Sequence, residues 1–183
     1  MIMPDMILLE AEEKMDKSIE SYNRELQTIR TGRANPTLLD SIEIDYYGQM
    51  TPIRQVGQIT VPEASQLYIK PYDKSVLKTI ETAILQSNLG LTPQNDGTGI
   101  RLIIPKMTEE RRRELVKQVG KLEEQAKVNI RNIRRDANDH LKKLELTEDD
   151  EKGYLEDVQT LTDKKIKEIE VCTAKKSEEL MHI

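Results

Sequence analysis

A row of cationic and amide side chains recurs at helical spacing in the stretch AKVNIRNIRRDAND, residues 126–139. Its members, spaced three or four residues apart, are Lys127, Arg131, Arg134 and Asn138. On an α-helix this spacing would place them in one ridge, beside the apolar face that carries Ile130 and Ile133. Forked guanidinium groups suit phosphate oxygens, so the ridge could bind a polyanion. A solvated helix face with ion pairs between successive turns is an equally simple alternative.

The surroundings of the ridge limit the kind of polyanion that it could bind. No aromatic side chain lies within residues 126–139, so backbone or shape contacts to structured RNA fit better than stacking on bases. The formal net charge of −5 argues against a protein coated in positive charge. Residues 101–135, however, contain 11 Lys or Arg against 5 Glu, whereas residues 145–179 contain 6 Lys against 12 acids. One stretch could therefore meet phosphate while the other could not.

Side chains that could perform catalysis are few and scattered. The only histidines are His140 and His182, and the lone Cys172 has no base near it in the sequence. The acidic run at 148–151 could bind a divalent ion, but solvation at a helix N-terminus explains it better. The segment NDGTG at 95–99 lacks the lysine and the strand-to-helix context of a phosphate loop. The sequence therefore predicts no catalytic residue, no metal site and no cofactor, and a protein that is not an enzyme.

Composition favours a helical, cytoplasmic protein. Aromatic residues make up only 3% of the chain and charged residues 33%, so burial must rely on aliphatic side chains, as in helical bundles. A single cysteine cannot form an intramolecular disulfide, which favours a reducing compartment. The N-terminus is acidic, unlike a signal or transit peptide, and no apolar stretch approaches the roughly 20 residues of a membrane span. We expect a soluble chain that does not enter a membrane.

Three long apolar seams indicate three helices that pack on one another. The first seam consists of Leu8, Ala11, Met15, Ile19, Tyr22, Leu26 and Ile29. The second consists of Leu115, Val119, Leu122, Ala126, Ile130, Ile133, Ala137, Leu141 and Leu144. The third consists of Leu155, Val158, Leu161, Ile166, Ile169 and Leu180. The first helix should end near Gly32 and Pro36, the second should run from Thr108 to Glu145, and the third should begin near Thr147.

Between the first two helices the apolar period changes from helical to alternating, which predicts short strands. The apolar strand positions are Ile42, Ile44, Tyr46, Ile59, Val61, Leu67, Ile69, Ile100, Leu102 and Ile104. Turn chemistry separates them at Gly48, VPE, KPYD and PQNDGTG, and a helix should start at Asp73 and end around SNLG. The predicted fold is α+β: a three-helix bundle of residues 1–30 and 106–183 with a small β/α/β domain, residues 31–105, inserted into it. The two chain crossings, near Gly32 and Pro105, are a candidate hinge.

Particular strings of this sequence resemble the ribosome recycling factor family of bacteria. They are IRTGRANPTLLD at 29–40, TPIRQVGQITVPE, SNLGLTPQNDGTGIRLIIPKMTEERR and AKVNIRNIRRDAND. The similarity extends from KMDKSIE to the C-terminal VQTLTDKKIKEIE and KKSEELM, which is almost the whole chain. The departures are a Met-rich N-terminus and a short connection, LKKLELTEDDEKG, after the second helix. The resemblance implies an L-shaped protein with a hinged inserted domain.

The resemblance also implies which residues contact ribosomal RNA. The family's arginines correspond to Arg131 and Arg134 in RNIRRDAND, to Arg112 in TEERRR, and to Arg30 and Arg33 in RTGR. With the neighbouring cations, the predicted RNA-binding set is Arg134, Arg131, Arg112, Lys127, Arg30, Arg33, Arg113 and Arg135. The predicted hinge comprises Thr31, Gly32, Arg33, Pro105 and Lys106.

The function implied is that of a translation factor. With elongation factor G and GTP, it would disassemble post-termination complexes into subunits for a new round of initiation. The expected partners are the 70S ribosome, large-subunit ribosomal RNA and elongation factor G, which the inserted domain would face. We expect the chain itself to be a monomer. The alternative is a helical scaffold or adaptor in which the basic ridge is incidental.

Overall fold

The computed structural model describes residues 3–182. Its helices are α1 (Pro4–Thr28), α2 (Ile53–Val56), α3 (Leu77–Gln86), α4 (Glu109–Lys142) and α5 (Glu148–Met181), with 3-10 turns at Pro36–Leu39 and Lys74–Val76. Its strands are β1 (Glu43–Tyr46), β2 (Gln49–Pro52), β3 (Gly57–Glu63), β4 (Gln66–Pro71), β5 (Pro93–Asn95) and β6 (Ile100–Ile103). The chain divides into two compact units, one formed by the residues up to Arg30 with Glu109–His182 and the other by Thr31–Thr108. The α+β class, with long helices and an inserted small β domain, is confirmed.

The helical unit is a bundle of α1, α4 and α5. At one end of the bundle Ile7 and Ala11 of α1 pack with Ala137 and Leu141 of α4 and with Val158 of α5. The start of α1 thus meets the end of α4 and the start of α5, so α4 runs antiparallel to both other helices. The sequence explains where a long helix begins. Thr147, for example, caps α5 by accepting a hydrogen bond from the backbone N–H of Asp150 at 3.3 Å.

The apolar seams form the core of this bundle, but not every member is fully buried. Met15, Val119 and Ile130 have no exposed surface. By contrast, Ile133 is only half-buried, because it lies toward the edge of the α4 seam. The buried centre of α4 therefore passes through Ile130 and Ala137, and a residue at its edge contributes less to stability.

Helix α5 buries polar side chains that its apolar pattern does not reveal. Thr162, Lys165 and Thr173 are at most 9% exposed. The Lys165 ammonium pairs with the carboxylate of Asp16 on α1, and this hydrogen bond raises the pKa of Lys165 above its ordinary value. The Thr173 hydroxyl bonds the Tyr22 hydroxyl, also on α1. These contacts match specific positions of α1 with specific positions of α5, which apolar seams alone would leave free to slide.

The inserted unit contains two antiparallel sheets and its own core. Strands β1 and β2 form a hairpin, and the larger sheet has the order β3-β4-β6-β5. Helix α3 and the sheets enclose an aliphatic cluster, whose fully buried members include Leu67, Ile80 and Leu102. Three segments that the sequence predicted as turns lie at least partly in strands: VPE lies in β3, the first two residues of KPYD end β4, and Pro93–Asn95 forms β5. Strands β3 and β5 are edge strands, and Pro71 lies beyond the residues of β4 that pair with β6, so each proline sits where a strand accepts it.

No helix among residues 3–182 is both long enough and apolar enough to cross a membrane.

Candidate nucleic-acid interface

The basic ridge lies on the side of α4 that meets α5. Two contacts establish this placement. Lys127 Nζ lies 2.9 Å from Glu170 Oε1, and Arg134 Nη1 donates to Gln159 Oε1 at 3.2 Å. Both acceptors belong to α5. The predicted helical spacing is therefore realised, but the cations border a second helix instead of standing alone on an outer face.

Lys127 is the member of the ridge with the most complete set of partners. Its ammonium contacts Glu123 Oε1 at 3.1 Å as well as Glu170, and its side chain is 13% exposed. The hydrogen bond to Glu170 is the main reason that the pKa of Lys127 lies above its ordinary value. Two carboxylates balance this charge, so Lys127 fastens α4 to α5 and offers little positive potential to an outside phosphate. The sequence did not indicate these partners across the helices.

The arginines of RNIRRDAND have fewer partners. Arg131 and Arg134 are half-buried, whereas Arg135 is exposed on the next position of the helix. Within residues 3–182, no carboxylate lies within ion-pair distance of Arg131 or Arg135. Arg134 bonds a neutral amide, which leaves its positive charge uncompensated. The charges of these three guanidinium groups are therefore not cancelled by a carboxylate partner, and such groups suit phosphate oxygens.

At the start of α4 the arginines pair with acids of their own helix. Arg113 forms an ion pair with Glu109, in which both side chains are 69% exposed, and Arg111 pairs with Glu114 at 2.9 Å. Exposed pairs of this kind contribute little to stability and exchange readily for other ligands. Arg112, which the family resemblance singled out, is half-buried.

Of the predicted hinge residues, Thr31, Gly32 and Arg33 directly follow the first boundary between the two compact units, whereas Pro105 and Lys106 come shortly before the second boundary, which lies between Thr108 and Glu109. Arg30 and Arg33 are exposed at the first boundary, and Gly32 between them is buried with φ 74°. A positive φ of this size favours glycine, because a Cβ would be strained. Pro105 and Lys106, near the end of the inserted unit, are also exposed.

Two residues near the ridge escaped the sequence reasoning. Gln159 and Asp163 of α5 are exposed polar residues four positions apart, and nothing in their spacing distinguishes them from other solvated helix positions. Only the packing of α5 against α4 brings Gln159 to Arg134.

Among the described residues 3–182, no group of three or more His, Cys, Asp or Glu side chains is placed to hold a metal ion.

Comparison with known proteins gives one consistent family. The family profile described as "Ribosome recycling factor" matches residues 22–181. The "Ribosome-recycling factor" of Acholeplasma laidlawii (strain PG-8A) is 64% identical over 179 residues, which is 98% of this chain and 97% of the relative. The protein of the same name from Geobacillus sp. (strain WCH70) is 58% identical and covers 99% of this chain and 100% of its own.

Solved structures agree with the sequence comparison. A solution structure of the ribosome recycling factor is 42% identical, has a TM-score of 0.82 and covers 100% of both chains. A second similar chain belongs to models for the T. thermophilus ribosome recycling factor and the E. coli elongation factor G bound to the E. coli post-termination complex. It is 39% identical, has a TM-score of 0.66 and covers 98% of this chain and 100% of its own.

Proposed function

Because the chain belongs to the ribosome recycling factor family, we propose that it disassembles post-termination ribosomes into subunits, together with elongation factor G and GTP. The observation that carries this proposal is the similarity over nearly the full length to proteins of that name. The relative seen on the post-termination complex together with elongation factor G supports the same partners for this chain. In this reaction elongation factor G hydrolyses the GTP, and this chain acts by binding to the ribosome. The reaction takes place in the cytoplasm.

The helical unit would bind large-subunit ribosomal RNA through the edge of α4. Arg131, Arg134 and Arg135 meet no carboxylate at ion-pair distance among residues 3–182, so their charges would face the phosphates. Backbone phosphates are the ligands that such a row would bind without base stacking, which agrees with a surface poor in aromatic residues. Arg112, Arg113 and Arg30 would extend the contact along the bundle, and Arg33, at the start of the inserted unit, would be a further phosphate ligand. Lys127 would contribute mainly by holding α4 against α5.

Elongation factor G would contact the inserted unit and move it, and residues 31–33 and 105–106 would act as the hinge. The separate core of the inserted unit supports this division of labour, because Leu67, Ile80 and Leu102 are buried within the unit itself. A unit with its own core can move as a rigid body.

Subunit release tests the proposal directly. Purified post-termination ribosomes are mixed with this protein, elongation factor G and GTP, and light scattering follows the appearance of free subunits. Release that requires all three components supports the proposal. If ribosomes stay intact, or if the protein is dispensable, the adaptor alternative is favoured.

Arg134→Ala should weaken binding to large ribosomal subunits while leaving the fold intact. The loss of a charge-assisted phosphate contact costs about 1.5–3 kcal/mol, which corresponds to roughly 10- to 150-fold in affinity. Co-sedimentation with large subunits measures the affinity, and thermal unfolding checks the fold. The matched control is Arg24→Ala, which removes an exposed arginine on the outer side of α1. Equal losses in both variants would contradict a specific role for Arg134.

The affinity for large subunits should also fall steeply with salt. Each neutralised phosphate contributes a slope of roughly −0.7 to −0.9 to the plot of log affinity against log salt concentration. Arg134→Ala should make that slope shallower by about one contact, whereas Arg24→Ala should leave it unchanged. A flat dependence for the unaltered protein would contradict phosphate binding.

A further inference from the structure

A short chain of hydrogen bonds on α5 ends at the guanidinium of Arg134. Gln159 Oε1 accepts from Arg134 Nη1 at 3.2 Å, and Gln159 Nε2 donates to Asp163 Oδ1 at 2.8 Å. Gln159 and Asp163 are four residues apart on α5, whereas Arg134 projects from α4. The amide of Gln159 therefore bridges the two helices at the ridge.

The chemistry of the three groups allows only one orientation of this chain. Arginine can only donate hydrogen bonds and an ionised carboxylate can only accept them, so the amide must turn its oxygen to Arg134 and its nitrogen to Asp163. Arg134 alone would already favour the amide oxygen, but without Asp163 the Gln159 amide would lose its hydrogen bond to α5 and could turn away to water. Asp163 thus holds the amide in the position in which its oxygen meets Arg134.

We propose that Gln159 and Asp163 are positioning residues that hold the Arg134 guanidinium in the orientation in which it binds a backbone phosphate of ribosomal RNA. The inference rests on the proposed function, since it takes Arg134 to be a phosphate ligand. A neutral partner suits this task, because it restrains the side chain without cancelling its charge. Lys127 shows the contrast on the same helix, because its ammonium meets two carboxylates. A long arginine side chain that is held before binding loses less conformational entropy on binding.

Gln159→Ala should therefore weaken binding to purified large ribosomal subunits, by roughly two- to tenfold at a fixed salt concentration. Combined with Arg134→Ala, it should cause no further loss, because the residue that it positions is gone. Both α5 residues are exposed and alanine is a strong helix former, so the variants should fold. Helical circular dichroism and thermal unfolding check this point.

Asp163→Ala is the sharper test, because the two possible roles of Asp163 predict changes in RNA affinity of opposite sign. If Asp163 acted only through its negative charge, its removal would tighten binding to RNA. Positioning predicts weaker binding, by roughly two- to fivefold, since the amide of Gln159 is no longer anchored by its hydrogen bond to Asp163. Asp163→Asn, which keeps an acceptor oxygen, should recover most of the affinity. Glu156→Ala is the matched control, since it removes a carboxylate one turn before Gln159 and should leave binding unchanged or slightly tighter.

The outcomes separate this inference from the function on which it rests. If Arg134→Ala weakens binding but Gln159→Ala and Asp163→Ala do not, the positioning role is wrong and the RNA-binding assignment stands. If the Gln159 effect persists in full in the Arg134→Ala background, Gln159 acts elsewhere and the inference is also wrong. If Arg134→Ala itself leaves the affinity unchanged, Arg134 is not a phosphate ligand, and both the assignment and the inference fall.

Discussion

A variant in which residues 31–108 are replaced by a short Gly/Ser loop will fold as a three-helix bundle and bind large ribosomal subunits, yet release no subunits. The bundle core is built from α1, α4 and α5 alone. The end of α1 and the start of α4 lie at the same end of the bundle, because these helices are antiparallel, so a short loop can join them. The ridge arginines also remain. What is lost is the unit that we propose receives the push from elongation factor G.

The experiment pairs co-sedimentation, which measures binding, with light scattering, which measures subunit release. We expect the affinity of the variant to lie within about a factor of ten of that of the full chain, because Arg33 is removed and Arg30 flanks the new loop. Subunit release should drop to the level seen without the protein. The excised unit, added in trans, serves as a control for a role that needs no connection. Release at the normal rate by the shortened variant would overturn the proposed division of labour.

Ile130→Asp will unfold the helical bundle. Ile130 has no exposed surface at the centre of α4, so the new carboxylate would enter an apolar core without a cationic partner. An unpaired buried charge costs about 3–5 kcal/mol, which is a large share of the 5–15 kcal/mol by which a domain is typically stable. Circular dichroism at 222 nm and thermal unfolding measure the loss.

Two further variants give this expectation its controls. Ile133→Asp should cost less, because Ile133 is half-buried and its carboxylate can reach water. Ile44→Asp places the same charge in the core of the inserted unit, where Ile44 is 1% exposed, and should leave most of the helical signal intact. If Ile133→Asp proved the more damaging of the α4 variants, the placement of the seam would be wrong.

The apolar pattern of the sequence carried most of the fold. Alternation at Ile42 and Ile44 and helical spacing at Met15 and Ile130 predict buried faces correctly, because burial of aliphatic side chains is what drives both kinds of element. The polar part of the core was not predictable in this way. Lys165 belongs to a charged helix, which would predict a solvated side chain. Its main partner in the buried position is Asp16, on a helix far away in sequence, with Glu168 of its own helix as a second carboxylate.

The same limit applies to the candidate interface. Arg131 and Arg134 stand out through their spacing beside Ile130, which is a property of one helix. Lys127 contacts Glu170 and Arg134 contacts Gln159 because of the way in which α5 packs against α4. The sequence of α4 alone does not predict this packing. Spacing therefore predicts which cations share a surface, whereas packing decides which of their charges remain available.

The pairing of α1 with α5 bears on the order in which the protein is made. A ribosome synthesises α1 first, but its buried face packs on α4 and α5, and its polar partners Lys165 and Thr173 come about 150 residues later in the chain. The inserted unit, by contrast, has all of its core residues once Ile104 has been added. Domains fold as units during synthesis, so the inserted unit should fold before α1 has α4 and α5 to pack against. The surface that we propose binds RNA is completed only when α5 packs beside α4, so a nascent chain cannot present it before α5 has been made.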